Sequence, residues 1–144
     1  MKRTETSVAE ALGRAHAALL EDLRKLEGAA QPPSAKGLAE LRTRLGRTRT
    51  HITEHFRFEE KNGYMAAVRK REPRLDRTVQ QLADEHRQLA QTLDALIDQA
   101  GVARTLDEAL REKVRAWVEK VHKHEASEND LVQDAFNLDV GAED

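Results

Sequence analysis

The sequence contains no cysteine, which excludes disulfides, thiolate metal sites and thiol nucleophiles. Only 3% of its 144 residues are aromatic, and glycine (7) and proline (3) are few. No stretch approaches the ~18 consecutive apolar residues that a membrane span requires, and the opening MKRTETSVAEAL has no apolar targeting core. We therefore expect no membrane association and a cytoplasmic protein. A formal net charge of −2 gives no reason to expect nucleic acid as a partner. What the chain has in abundance is charge, at 35% of residues, set between regularly spaced apolar positions. That combination describes helices with solvated outer faces rather than a disordered chain. The length suits one domain with a single core. We place it at residues 1–137, followed by a loose acidic tail at 138–144.

Taken in order, Ser7-Val8-Ala9-Glu10 fits a capping box that would open a first helix. Its stripe runs Val8, Leu12, Ala15, Leu19, Leu23 and Leu26, with His16 at the edge. The segment from Gly28 through Pro32-Pro33 to Ser34 reads as a break. A second helix presents Leu38, Leu41, Leu45, Thr48, Ile52, His55 and Glu59 on one face, so a stripe that starts apolar ends in two potential metal ligands. Asn62-Gly63 predicts a stop, Tyr64 to Arg71 a short helical turn, and Pro73 the first turn of a third long helix. That helix carries Leu75, Val79, Leu82, His86, Leu89, Leu93 and Leu96 and closes at Gly101. Thr105 to Glu108 forms a second capping box. The last helix shows Leu110, Val114, Trp117, Val121, His124, Glu128, Leu131 and Ala135. Four amphipathic helices on short connections predict an all-α, antiparallel up-down-up-down four-helix bundle.

The polar residues on the apolar stripes repeat in order: His16, then His55-x-x-x-Glu59; His86, then His124-x-x-x-Glu128. A spacing of four puts histidine and glutamate on one helical face. A single such pair is ordinarily a solvated contact worth a few tenths of a kcal/mol, and a lone core histidine is ordinarily just hydrogen-bonded. Six such groups facing one core are costly to bury without a cation. Four imidazoles and two carboxylates suit a pair of Fe, Mn or Zn ions. Glu59 and Glu128 would bridge them, with His16 and His55 terminating one ion and His86 and His124 the other. Open positions would remain for solvent, a bridging oxygen or a small ligand, with no room for a large substrate. One feature counts against this assembly. Measured from the first loop, His55 lies deeper in its helix than His16 does, by an offset on the order of 13 Å at ~1.5 Å per residue.

The ordered set His16, His55-x-x-x-Glu59, His86, His124-x-x-x-Glu128 resembles the hemerythrin-like HHE cation-binding domain over nearly the whole chain. The resemblance implies a di-iron cofactor bridged by oxo or hydroxo, with the four histidines as terminal ligands and Glu59 and Glu128 bridging. It further implies a small diatomic or peroxide ligand. The sequence departs from the oxygen-carrying hemerythrins at Ala90, where those carry a second histidine one turn after the ligand of the third helix. It departs again where their final His-x-x-x-x-Asp is replaced by His124-x-x-x-Glu128. These departures favour sensing, iron handling, or peroxide and NO chemistry over reversible oxygen storage.

Of the remaining polar residues, His51 lies one turn before His55 and is expected to support the site from behind, to act as an extra ligand, or to be simply a polar residue at the core edge. Tyr64 is placed either at the site or at the bundle end, His122 in solvent and Trp117 in the core. The basic runs at Arg42 to Arg49 and Arg69 to Arg77 lack interleaved aromatics and read as solvated faces. Three functions are compatible with the residues. They are a di-iron protein that binds, senses or handles O2, NO, peroxide or iron; an enzyme that decomposes peroxide or reduces NO at the same centre; and a metal-free helical interaction module.

Overall fold

A computed structural model of the chain describes residues 2–31, 37–61 and 63–136, with side chains from Val8 onward. Four long helices, α1 (Lys2–Ala29), α2 (Gly37–Lys61), α4 (Asp76–Val102) and α5 (Glu108–Phe136), form the predicted bundle. The short α3 (Tyr64–Arg71) and a 3-10 turn at Pro73–Leu75 join α2 to α4. Helix α1 packs on α2 and α5, and α4 packs on the same two, which closes the ring. No strand occurs among the described residues.

Several boundaries differ from the sequence-based ones for local reasons. Helix α1 begins at Lys2, so Ser7 lies inside it and cannot act as its N-cap. Gly28 continues the helix instead of ending it. Residues 32–36, with the Pro-Pro pair, and the tail from 137 lie outside the described residues, as does Asn62. Pro73 starts the 3-10 turn, and α4 proper begins three residues later. At the start of α5 the cap is Asp107, not Thr105. The Leu110 amide donates to Asp107 Oδ1 at 2.9 Å, satisfying one of the helix's free N–H groups.

The core is two apolar clusters with a polar layer between them. At the loop end of α1 and α2, Leu19, Leu23, Leu41, Leu45, Leu93 and Val114 are among the fully buried residues. Burying each leucine contributes up to about 2 kcal/mol. Trp117 belongs to this cluster and donates its indole N–H to the Leu89 carbonyl at 2.9 Å. The other cluster gathers Leu12, Tyr64, Val68, Leu82, Leu131 and Phe136. His16 falls between Leu12 and Leu19, His86 between Leu82 and Leu89, and Glu128 between Val121 and Leu131. The period that builds both clusters thereby delivers the polar groups to one level.

Gly63 fixes how α2 turns into α3. A Cβ there would stand 2.9 Å from the Phe58 carbonyl oxygen and 3.0 Å from the Glu59 Cα, both backbone atoms that cannot rotate away. Gly63→Ala is therefore expected to push on the last turn of α2, which carries Glu59. A loss of about 1–3 kcal/mol should appear as a lowered melting temperature.

Candidate metal centre

Helix periodicity aims four histidines and two glutamates at one point in the middle of the bundle, and all six are buried. His16, His55, Glu59 and Glu128 each offer an atom within 4.8 Å of one another, and so do Glu59, His86, His124 and Glu128. Glu59 and Glu128 belong to both sets. The register offset expected between His16 and His55 does not keep them apart, although α1 gains only one residue beyond Gly28. The two rings lie 5.6 Å apart.

Each of these four histidines turns Nε2 inward. His16 Nε2 is 3.2 Å from Glu59 and 2.9 Å from Glu128. His55 Nε2 is 2.9 Å from Glu59. His86 Nε2 stands between Glu59 at 3.0 Å and Glu128 at 3.2 Å, and His124 Nε2 is 3.1 Å from Glu128. Yet His55 Nε2, His124 Nε2 and Glu59 Oε1 have no hydrogen-bond partner. Buried polar atoms that crowd together without aligned hydrogen bonds fit donors converging on a common point. Imidazole and carboxylate are the donor set for an intermediate divalent cation.

Two outer carboxylates hold the rings on one side. Glu60 accepts from His86 Nδ1 at 2.5 Å and Glu85 from His124 Nδ1 at 2.6 Å. Such contacts fix the tautomer that leaves Nε2 free to ligate. Phe56 stacks on His86, with centroids 3.8 Å apart and planes 9° from parallel. A cavity of about 290 Å³ between α4 and α5, lined by Glu85, Leu89, Thr92, Lys120 and Lys123, reaches His124 from the outside.

The other candidate residues are distributed around this point. Tyr64 is fully buried and donates its hydroxyl to Glu128 Oε2 at 2.8 Å. Burial and the neighbouring Glu128 hold that phenol well above its ordinary range, so it stays protonated. His51 is outside both donor sets. Its ring is 6.4 Å from His55 and its Nδ1 3.6 Å from Asp22. His122 is part-buried rather than fully solvated and is absent from both sets. Several members of the basic runs are engaged within the chain: Arg42 donates to the Ala100 and Ala103 carbonyls at the end of α4, Arg49 pairs with Asp94, Arg69 with Asp76 and Arg74 with Asp134.

Sequence reasoning missed three carboxylates. Glu60 and Glu85 each adjoin a stripe residue and carry no periodic signal. Glu125 did carry one. Val114, Val118, Val121, Glu125, Glu128 and Val132 step by four and three along α5, and all are buried. This second stripe runs beside the one through Trp117 and His124. Burial pushes the Glu125 carboxyl up to about 7, against the lowering influence of His16 and His55.

Without a metal, the site is an ion cluster. Burial alone would lower the His16 and His86 pKa values, but hydrogen bonds to Glu128 and Glu59 outweigh it and push both up to about 10. The same contacts carry Glu59 and Glu128 downward, against burial. These are one set of interactions seen from two sides and count once. Folded values above the unfolded 6.5 mean that the native state binds more protons between pH 6.5 and 10. The stabilisation is complete below pH 6.5 and disappears as pH rises through about 10. It is worth on the order of 4 kcal/mol, since the two imidazoliums share the same carboxylates. Urea unfolding of chelator-treated protein is expected to show a lower midpoint at pH 10 than at pH 6.5.

No helix among the described residues is long and apolar enough to cross a membrane. No curated protein and no solved structure matches the chain. The family model of the hemerythrin HHE cation-binding domain does match, over residues 7–136, from within α1 to the end of α5. The chain, with its His/Glu cluster at the level where the four long helices meet, belongs to the hemerythrin HHE cation-binding domain family.

Proposed function

We propose that the protein is a non-haem di-iron protein that senses or handles a small ligand such as O2, NO or peroxide, or iron itself. The observation that carries this is the pair of overlapping donor sets sharing Glu59 and Glu128. One ion would be held by His16 and His55, the other by His86 and His124, with the two glutamates common to both. Iron at these positions would supply one-electron redox chemistry and vacant positions for a small ligand.

The chain's own residues set the conditions for that chemistry. Glu60 and Glu85 keep the Nδ1 protons of His86 and His124 facing outward. The Tyr64 hydroxyl holds one oxygen of Glu128 in place. Phe56 and the two apolar clusters exclude bulk water from the layer, which strengthens every charge interaction inside it. Among the described residues, the cavity that reaches His124 is lined by α4 and α5 residues such as Glu85, Leu89, Lys120 and Lys123 and not by the other five donors. Binding must also displace the protons that His16 and His86 carry in the metal-free state, so affinity should rise with pH and protons should be released.

Anaerobic ferrous titration of chelator-treated protein tests the proposal. Saturation near two ions per chain, with proton release and tighter binding at pH 8 than at pH 6, is the expected result. Saturation at one ion, or binding insensitive to pH, would count against it.

A further inference from the structure

The cavity of about 290 Å³ between α4 and α5 has a lining that neither the donor sets nor the apolar core explains. Its walls are two polar stripes of matching spacing. Glu85, Gln88 and Thr92 come from α4, and Lys120, Lys123 and Ser127 from α5. Steps of three and four keep each stripe on one face of its helix. Leu89 and His124, each next to a stripe residue and both buried, complete the lining. Polar side chains thus flank a seam between two packed helices that apolar ones would ordinarily close.

The charge in this lining is not balanced within the chain. Lys120 and Lys123 are exposed, and among the described residues neither has an ion pair or hydrogen bond. One turn apart, the two ammonium groups also repel each other. Three arginines of the same helices are paired with nearby acids: Arg87 with Asp84, Arg111 with Glu108 and Arg115 with Glu112. The carboxylate in the lining, Glu85, is committed to His124 Nδ1 at 2.6 Å. The cavity therefore offers two free ammonium groups, two hydroxyls and the Gln88 amide, all able to donate hydrogen bonds. An anion with several acceptor oxygens is the complementary guest. The volume is at the small end for a ligand pocket. It suits one phosphate group, with Leu89 as apolar surface for a short carbon chain, and not an extended polyanion.

We propose that this cavity binds a small phosphate-bearing anion, held by Lys120 and Lys123 with Thr92, Ser127 and Gln88 as further donors. Its occupant would sit against the outer side of His124, beside the carboxylate that holds that ring. The site itself requires no metal, so the inference stands apart from the metal-binding proposal above.

Titration calorimetry of the intact, chelator-treated chain tests it, at neutral pH and constant ionic strength, with inorganic phosphate and glycerol 3-phosphate as probes. The parent is expected to bind at a single saturable site. The double variant K120Q/K123Q, altered only at exposed positions, is expected to bind about ten-fold more weakly or worse, because two charged donors are lost. K113Q removes a lysine of α5 outside the cavity and should bind as the parent does. Tighter binding of glycerol 3-phosphate would identify the guest as a phosphate ester, and tighter binding of inorganic phosphate as the free ion; either supports the site. No saturable binding of either probe by the parent would overturn the inference. So would parent affinity in K120Q/K123Q. An equal weakening in K113Q would overturn it as well, because the attraction would then come from overall charge and not from the cavity.

Discussion

Glu128→Ala is expected to take the chain from two ions to fewer than one and to destabilise the metal-free protein by about 3–5 kcal/mol. Both effects come from one position. Glu128 is fully buried and belongs to both donor sets, so its loss removes a shared ligand from each. In the metal-free protein it is the acceptor for His16, His86 and Tyr64. Alanine would leave the Tyr64 hydroxyl without its acceptor and the inner nitrogens of His16 and His86 with only Glu59 to face them. Elemental analysis gives the first effect and denaturant unfolding after chelator treatment the second. A variant that kept both ions would mean that Glu128 does not bridge. A variant that lost the ions without losing stability would mean that the ion cluster contributes little.

His86→Leu separates a metal centre from a polar core. If the histidines were merely polar residues of an interaction module, replacing one with leucine would leave stability equal or higher, because a buried polar group is removed. The geometry predicts the opposite. His86 approaches both shared glutamates, is held from outside by Glu60 and is stacked by Phe56, and leucine reproduces none of the polar contacts. In the parent, saturating metal should raise the melting temperature by on the order of 10 °C, since ion at about a thousand times its Kd stabilises by about 4 kcal/mol. In the variant most of that metal-dependent rise should vanish. A variant as responsive to metal as the parent would remove His86 from the centre.

The helices were legible because their apolar positions recur at three and four. The six donor residues stood out because each interrupts such a stripe where leucine or valine would be expected. Boundaries were less legible. Ser7 has the chemistry of a cap, yet α1 runs through it, and Asp107 takes the role assigned to Thr105, because a capping box two residues out of place looks the same in sequence. Gly28 has the chemistry of a stop although helix continues there, and counting residues from the loop does not foresee that the His16 and His55 rings come within 5.6 Å. Glu60 and Glu85 were invisible because outer carboxylates lie off the stripe and are found only when neighbouring helices are brought together. Glu125 is different. Its stripe is present in the sequence, but it runs next to the stripe of His124, and a reader following one stripe discards the other.

The most direct test is metal content by elemental analysis of protein purified without chelator, with an ultraviolet–visible spectrum of the same sample. Two irons per chain, with the near-ultraviolet charge-transfer absorption of a bridged ferric pair, is the predicted result. No bound metal, even after anaerobic addition of ferrous iron, would contradict it and leave the six buried residues as an ion cluster that serves only the fold.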